Sequence, residues 1–255
     1  MISSLDNDLV KKTVKLRTKN SYRQESGLFF IDGRREVLAA KEAGWFFETI
    51  FFSEDLAKEP LKLESLTAVS EAVFRKISFK ENPDGVAAIV KRREVKLEDL
   101  KLSPQALIVV LEAVEKPGNL GAIIRSAYAA KVEVIIINDL KTDIYNPNVI
   151  RSSEGLIFKI PIVVASFKET EEFLKKKQIN AYVAALKGAK VYTSLDYTSK
   201  TAFVLGSEAN GLSSDWLNSG VEIIKIPMRA GMDSLNVSVA TAILLFEAQR
   251  QRGFV

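Results

Sequence analysis

Apolar positions follow two different patterns, one before and one after a charged stretch near residue 100. In the first part, apolar residues scattered among basic ones over residues 5–22 predict an amphipathic helix, and short apolar runs predict strands. The predicted helices occupy residues 5–22, 34–43 and 70–75, and the predicted strands 28–31, 46–52 and 86–90. These elements predict a small α/β unit of about 90 residues.

The second part alternates buried strands with helices. The predicted strands are 106–111, 132–137, 157–164, 180–186, 201–206 and 222–227, and the predicted helices are 119–130, 168–177, 213–218 and 234–250. Continuous apolar strands such as 134–137 indicate a sheet covered on both faces, which is typical of parallel strands. The predicted fold class is therefore α/β with a mostly parallel sheet, preceded by the small α/β unit.

The charged stretch between the two parts predicts a linker that ends in Ser103-Pro104. We expect an N-terminal domain at residues 1–96, the linker at 97–104 and a C-terminal domain at 105–255. No apolar run approaches the roughly 20 residues that a membrane-spanning helix needs. The N-terminus also lacks a basic segment followed by an apolar one, so we expect a soluble cytoplasmic protein.

Composition removes several classes of chemistry. The 255 residues include no Cys and no His, which excludes disulfides, thiolate nucleophiles, histidine bases and zinc sites built on these ligands. The formal net charge is +4, and the first 23 residues contain six basic side chains against two acidic ones. This distribution permits a nucleic-acid partner without requiring one. No metal site is predicted.

Three loops rich in Gly, Pro and polar residues follow the strands 106–111, 201–206 and 222–227. In an open parallel sheet, ligands bind beyond the carboxyl ends of the strands, which is where these loops lie. No two glycines have the spacing of a dinucleotide-binding fingerprint, and no Walker A sequence occurs. We therefore expect a ligand held by backbone groups and a few polar side chains.

The polar residues of these loops allow functional and structural interpretations. Asn119 and Arg125 either serve one site or are a helix cap and a surface arginine, while Glu208 either pairs with a cation or complements a helix N-terminus. Gly206 indicates close backbone approach or a positive φ. Asp233 or Ser234 can cap the last helix. That helix is apolar on nearly every face, which makes a homodimer plausible.

Together the loops resemble the three motifs of the SpoU (TrmH-type) family in the SPOUT superfamily of RNA methyltransferases. The matching residues are Asn119 with Arg125, Gly206 with Glu208, and Ile226-Pro227-Met228 followed by Ser234-Leu235-Asn236-Val237-Ser238-Val239-Ala240. The segment 151–155 is similar to the middle of that family's catalytic domain. The N-terminal unit is similar to the small RNA-binding domain that precedes many SpoU catalytic domains.

The resemblance implies a C-terminal trefoil knot, S-adenosylmethionine as methyl donor, a ribose 2′-hydroxyl of rRNA or tRNA as acceptor, and a homodimer through the C-terminal domain. It implies Arg125 as the main catalytic residue, with Asn119, Glu208, Ser234 and Asn236 in orienting roles. It places the donor at Leu205, Gly206, Ile226, Met228 and Leu235. It assigns RNA contacts to Arg23, Arg34, Arg35 and Arg151.

Arg125 poses a chemical question, because arginine stays protonated in proteins and is a poor base. Either an RNA phosphate takes its proton, or the charged guanidinium positions a phosphate and stabilises the developing alkoxide. Two alternatives to a methyltransferase are a non-catalytic RNA-binding protein of the same fold and a Rossmann-type small-molecule enzyme. The first does not explain three converging polar loops, and the missing glycine fingerprint opposes the second.

Overall fold

The structure is a computed structural model, which describes residues 1–61, 63–186, 190–207, 209–232 and 234–253. The described helices are α1 (Asp8–Thr18), α2 (Asn20–Ser26), α3 (Arg34–Glu42), α4 (Glu71–Ile77), α5 (Pro117–Ala129), α6 (Pro147–Ser152), α7 (Phe167–Lys176), α8 (Ser214–Leu217) and α9 (Val237–Gln251). The described strands are β1 (Leu28–Asp32), β2 (Phe47–Phe52), β3 (Leu66–Ala68), β4 (Val86–Lys91), β5 (Leu107–Glu112), β6 (Val134–Asn138), β7 (Ile162–Val164), β8 (Asn180–Ala184), β9 (Lys190–Val191), β10 (Thr201–Leu205) and β11 (Glu222–Lys225). Short 3₁₀ turns occupy Leu97–Asp99, Leu156–Phe158 and Tyr192–Ser194.

The chain divides into two compact units. The N-terminal unit consists of Met1–Arg93 and Asp143–Lys159, and the C-terminal unit consists of Glu94–Thr142 and Ile160–Val255. Residues 143–159 thus pack with the N-terminal unit, although they lie inside the sequence range predicted for the second domain. The domain limits 1–96, 97–104 and 105–255 stay a prediction.

The N-terminal unit is built on a four-stranded sheet in the order β1-β4-β2-β3. β4 runs antiparallel to both of its neighbours, and β3 runs parallel to β2. Buried apolar residues of α1 and α4, including Leu16 and Phe74, pack with residues of β1 such as Phe30. Burial of this apolar face is the main stabilising contribution to the unit.

Helix α1 is shorter than the helix predicted for residues 5–22. Lys19 has an extended backbone, with φ −115° and ψ 114°, and it separates α1 from α2. At the other end, the Asn7 side chain accepts a hydrogen bond from the Leu9 backbone N–H at 2.9 Å. The single predicted helix is therefore wrong, because the scattered apolar positions gave no signal for a break at Lys19.

An aromatic cluster explains why residues 143–159 belong to the N-terminal unit. The rings of Phe29 and Tyr145 stack with centroids 4.4 Å apart, and Trp45 lies edge-on to Phe158 at 5.3 Å. The Trp45 indole N–H also donates to the Phe158 carbonyl at 3.1 Å. Such large buried rings contribute strongly to packing.

The C-terminal unit contains a seven-stranded parallel sheet in the order β7-β6-β5-β10-β8-β11-β9. Every residue of β5, β6 and β10 is buried, which confirms the predicted parallel sheet with both faces covered. Helices α5 and α9 pack against each other. Among the residues that the structure describes, no helix is long and apolar enough to cross a membrane.

Several predicted elements differ in extent from the observed ones. The strand predicted at 157–164 is wrong in its first half, because Gly155 adopts a left-handed conformation (φ +79°) and a 3₁₀ turn follows before β7. Helix α5 begins two residues before the predicted start at Asn119. The short elements β3, β9 and α6 were absent from the prediction.

Candidate active site

The three polar loops start from the carboxyl ends of parallel strands. β5 and β10 are neighbours in the sheet, and β8 separates β10 from β11. The loops after these strands lead into α5, α8 and α9. Irregular backbone at this edge leaves N–H and C=O groups outside the sheet ladder, where they are able to contact a ligand.

The first loop leads directly into α5. Pro117 is the first residue of this helix, so Asn119 lies in its first turn rather than at the N-cap position. Leu120, Ile123 and Ile124 are buried, whereas Asn119 is half-buried and Arg125 is exposed. The interpretation of Asn119 as a helix cap is therefore wrong. Arg125 lies on the solvent side of α5.

Asn236 connects the third loop to the first. Its side-chain amide donates to the Oδ1 atom of Asn119 at 3.2 Å. The Oδ1 atom of Asn236 accepts hydrogen bonds from the N–H and the hydroxyl of Ser238 at 2.9 and 2.6 Å. Asn236 is thus the N-cap of α9, the role that the sequence assigned to Asp233 or Ser234. Ser234 is exposed before the helix, and Asp233 lies outside the described residues.

Gly206 allows a close backbone approach in the second loop. A Cβ atom at Gly206 would lie 2.2 Å from the carbonyl carbon of Gly211, so any larger residue would collide with backbone. Ser207 and Gly211 exchange backbone hydrogen bonds of 3.1 and 2.9 Å, and Gly211 has φ +66°. This geometry confirms the close approach predicted for Gly206. Glu208 lies outside the described residues.

The predicted donor-binding residues line the start of two loops. Leu205 is buried at the end of β10, while Ile226, Met228 and Leu235 are half-buried between β11 and α9. Half-buried apolar side chains beside irregular backbone suit an adenine ring, which needs an apolar wall and hydrogen bonds to its edge. The residues present therefore fit S-adenosylmethionine, and no phosphate-binding loop is required.

The sequence analysis missed Glu112, the last residue of β5. Its side chain is buried, with 7% of its surface exposed, and its two carboxylate oxygens accept hydrogen bonds from the N–H and hydroxyl of Ser213 at 2.7 and 2.8 Å. Glu112 thereby holds the end of the second loop against the strand that precedes the first loop. The sequence signal that could have identified Glu112 is an acidic residue at the end of an otherwise apolar strand.

Asn138 plays a comparable part at the end of β6. Its amide donates to the Ala165 carbonyl at 2.8 Å and to the Thr170 hydroxyl at 2.7 Å. Its Oδ1 atom accepts from the Trp216 indole at 3.3 Å. These bonds satisfy a fully buried amide and connect α7 and α8 to the sheet.

In the N-terminal unit, the predicted RNA-binding arginines have different surroundings. Arg23 is 3% exposed, and its guanidinium donates to Asp143 Oδ2 and to the Leu16 carbonyl, both at 2.6 Å. This burial does not fit the predicted RNA contact, and we correct the role of Arg23 to a structural one. Its position in a basic N-terminal segment gave no sign of a partner 120 residues away.

The other three arginines retain some exposure. Arg34 donates to the carbonyls of Glu59 and Pro60 at 2.9 and 2.8 Å. Arg35 is 58% exposed in its side chain and forms ion pairs with Glu36 and Glu154. Arg151 is exposed in the last turn of α6.

Comparison with known proteins identifies both parts of the chain. Residues 106–246 match the SpoU rRNA Methylase family, and residues 7–88 match the MRM3-like substrate binding domain. The chain is 29% identical to the 23S rRNA (guanosine(2553)-2′-O)-methyltransferase RlmP of Bacillus subtilis, over 96% of this chain and 97% of the relative. It is 28% identical to a 23S rRNA (uridine(2479)-2′-O)-methyltransferase of Streptomyces viridochromogenes, over 90% and 85% of the two chains.

A solved structure extends the similarity to three dimensions. The AdoMet-bound rRNA methyltransferase from Sinorhizobium meliloti is 31% identical and superimposes with a TM-score of 0.88, covering 98% of this chain and 97% of that one. The similarity therefore includes both units and the three loops.

Proposed function

Because the chain belongs to the SpoU rRNA methylase family, we propose that it is an enzyme that transfers a methyl group from S-adenosylmethionine to a ribose 2′-hydroxyl of ribosomal RNA. The observation that carries this function is the hydrogen bond between Asn119 and Asn236, which joins two of the family's motifs at the carboxyl edge of the sheet. Relatives named as 23S rRNA methyltransferases favour rRNA over tRNA. They also disfavour a non-catalytic RNA-binding protein.

The cofactor supplies an electrophilic methyl group on a sulfonium, so the protein's work is alignment and charge stabilisation. We propose that Leu205, Gly206, Ile226, Met228 and Leu235 hold the cofactor, with backbone groups contacting its adenine and ribose. Asn119 and Asn236, at the start of α5 and α9, then orient the substrate ribose, Arg125 or the cofactor. Ser234 and Glu208 are proposed to orient the substrate ribose or Arg125.

Arg125 is the proposed catalytic residue. Its guanidinium remains charged, contacts an RNA phosphate and stabilises negative charge that develops on the 2′-oxygen. The 2′-oxygen would form a bond to the methyl carbon and lose its proton to a phosphate or water oxygen, while the carbon–sulfur bond would break and leave a neutral thioether. This role needs no imidazole and is compatible with a chain that contains no His.

Helix α9 supports the proposal of a homodimer. Val239 and Phe246 on this helix are 47% and 45% exposed in the single chain, although the sequence predicted burial on nearly every face. Tyr128 on the adjacent α5 is also exposed. We propose that a second copy covers these side chains. Sedimentation should detect a dimer, and Phe246→Glu should convert it to a monomer.

Three further features are proposed on the resemblance. The segment from β10 to α9 forms the family's trefoil knot, and the domains lie at 1–96 and 105–255 with a linker at 97–104. Arg34, Arg35 and Arg151 contact RNA from the N-terminal unit. A cytoplasmic location is expected from a ribosomal RNA substrate.

A direct experiment tests the function. The purified chain is incubated with radiolabelled S-adenosylmethionine and an unmodified 23S rRNA transcript, and the product is digested to nucleosides. The proposal predicts a labelled 2′-O-methylnucleoside and a phosphodiester bond resistant to alkali on its 3′ side. Label on a base, or no transfer to any RNA, would overturn it. One of the two relatives is named for guanosine and the other for uridine, so the experiment must identify which nucleoside is methylated.

A further inference from the structure

Phe46 is the most exposed aromatic side chain among the described residues, with 66% of its surface accessible. It directly precedes β2 in the N-terminal unit. Its neighbour Trp45 points into the aromatic cluster, where it lies edge-on to Phe29 at 5.8 Å. A single exposed apolar residue is common on protein surfaces. A functional role for Phe46 therefore depends on the residues near it.

A basic residue of the paired strand β4 lies opposite Phe46, and it begins a basic run. The backbone N–H of Lys91 donates to the Phe46 carbonyl at 3.0 Å, which places the backbone of Lys91, at the exposed end of β4, opposite that of Phe46. Lys91 begins the consecutive basic run Lys91-Arg92-Arg93. Lys12 of α1 forms an ion pair of 2.6 Å with Glu48, two residues after Phe46.

Backbone and cation–π contacts hold this edge in place. The Arg93 guanidinium lies 4.6 Å from the Trp45 ring centroid and donates to the Ala43 and Gly44 carbonyls, which fixes the turn leading to Phe46. The Arg92 guanidinium lies 5.0 Å from the ring of Tyr145. The strand pairing of β2 with β4 shifts register between Phe47 and Thr49, an irregularity that commonly redirects side chains at a sheet edge.

We propose that Phe46 stacks against an unpaired base of the RNA, while Lys91 and the adjacent basic side chains contact its phosphates. This inference rests on the proposed function, which supplies the RNA, and adds the site at which the N-terminal unit recognises a single-stranded segment. An aromatic face combined with cationic neighbours is the usual chemistry for binding unpaired nucleotides. A protein partner fits less well, because a single exposed ring next to a basic strand end is not an extended apolar patch.

The experiment compares the full-length protein with Phe46→Leu and Phe46→Trp, using a fluorescein-labelled unpaired 20-nucleotide RNA of mixed sequence and a 20-base-pair RNA duplex as probes. Leu keeps an apolar side chain without a π face, whereas Trp restores stacking. Leu5→Ala changes another exposed apolar residue of the same unit and is the matched control. Thermal unfolding checks that each variant is folded.

We expect Phe46→Leu to weaken binding of the unpaired RNA about 5-fold or more and Phe46→Trp to retain it. The duplex affinity and the Leu5→Ala variant should change less than about 2-fold. Lys91→Gln should lower the salt dependence by about 0.7 in the log–log slope, whereas Phe46→Leu should leave that slope unchanged.

Unchanged affinity of Phe46→Leu for the unpaired RNA would overturn the inference. An equal loss on the duplex would also overturn it, as would a change in oligomeric state with unchanged RNA affinity, which would assign Phe46 to an interface between copies. Methylation of a 23S rRNA transcript is measured in parallel. A wild-type protein that binds the unpaired RNA through Phe46 without methylating any RNA would contradict the proposed function and leave this inference standing.

Discussion

The amide of Asn236 donates to Asn119 across a distance of 3.2 Å, although 117 residues separate the two in sequence. The same Asn236 side chain caps α9 through its other atom, Oδ1. One side chain therefore fixes the start of the last helix and connects it to the first turn of α5. The two motifs cannot move independently while both bonds are present.

Two substitutions at Asn236 separate these tasks. Asn236→Asp keeps the acceptor that caps α9 but removes the donor to Asn119, whereas Asn236→Ala removes both. We expect Asn236→Ala to lower the free energy of unfolding by about 1 kcal/mol and Asn236→Asp to change it little. Methyl transfer should fall in both variants. Urea unfolding and single-turnover kinetics measure the two effects, and full activity of Asn236→Asp would show that the Asn119 bond is dispensable.

Glu112 should couple folding to cofactor binding, because both of its oxygens are used by Ser213. Glu112→Ala leaves the N–H and the hydroxyl of half-buried Ser213 without this acceptor, which should lower the free energy of unfolding by about 1 kcal/mol. Calorimetric titration should show weaker S-adenosylmethionine binding. Glu112→Gln, which keeps one acceptor, is the control and should recover part of the affinity. Equal cofactor affinity in all three proteins would contradict a positioning role.

The buried pair between Arg23 and Asp143 should be structural. Asp143→Asn leaves the Arg23 guanidinium without its carboxylate, and breaking such a pair costs about 3–5 kcal/mol of unfolding free energy. Arg75→Gln removes an arginine whose ion pair with Glu71 is exposed on both sides, and it should cost less than about 1 kcal/mol. Chemical denaturation distinguishes the two variants. A small cost for Asp143→Asn would return Arg23 to the candidates for RNA binding.

Asp32 should make stability depend on pH. Burial raises the pKa of its carboxyl above the ordinary value, despite hydrogen bonds from the Ser78 hydroxyl and the Phe79 N–H. The folded state therefore binds a proton more tightly than the unfolded one. Tighter proton binding by Asp32 stabilises the folded state below about pH 4, and this stabilisation is lost as the pH rises through the raised pKa.

Asp32→Asn removes that titration. The difference in unfolding free energy between the variant and the wild type should shift in favour of the variant as the pH rises from about 4, and should be constant below that. Asp6→Asn, at a fully accessible carboxyl, is the control. Urea unfolding across this pH range provides the measurement. A pH-independent difference for Asp32→Asn would show that burial does not raise this pKa.

The parts of the fold and site that the sequence predicts are those encoded locally. Apolar runs predicted β5, β6 and β10, and the glycine that follows β10 indicated a close backbone approach or a positive φ at Gly206. The missed features depend on contacts between distant residues. Arg23 donates to Asp143, which lies 120 positions away in the sequence. Glu112 accepts a hydrogen bond from Ser213, which lies 101 positions away. The sequence offered Asp233 or Ser234 as the cap of α9, and the structure shows that Asn236 takes this role.

In a protein without histidine, we propose that a charged Arg125 supports methylation of a ribose oxygen. The most direct measurement compares the wild type, Arg125→Lys and Arg125→Ala for the rate at which alkali-resistant bonds form in a 23S rRNA transcript, together with S-adenosylmethionine affinity. We expect a loss of about 10²- to 10³-fold in turnover for Arg125→Ala with cofactor affinity nearly unchanged, and an intermediate rate for Arg125→Lys. Wild-type turnover in Arg125→Ala, or a collapse of its cofactor affinity, would contradict a catalytic role of Arg125.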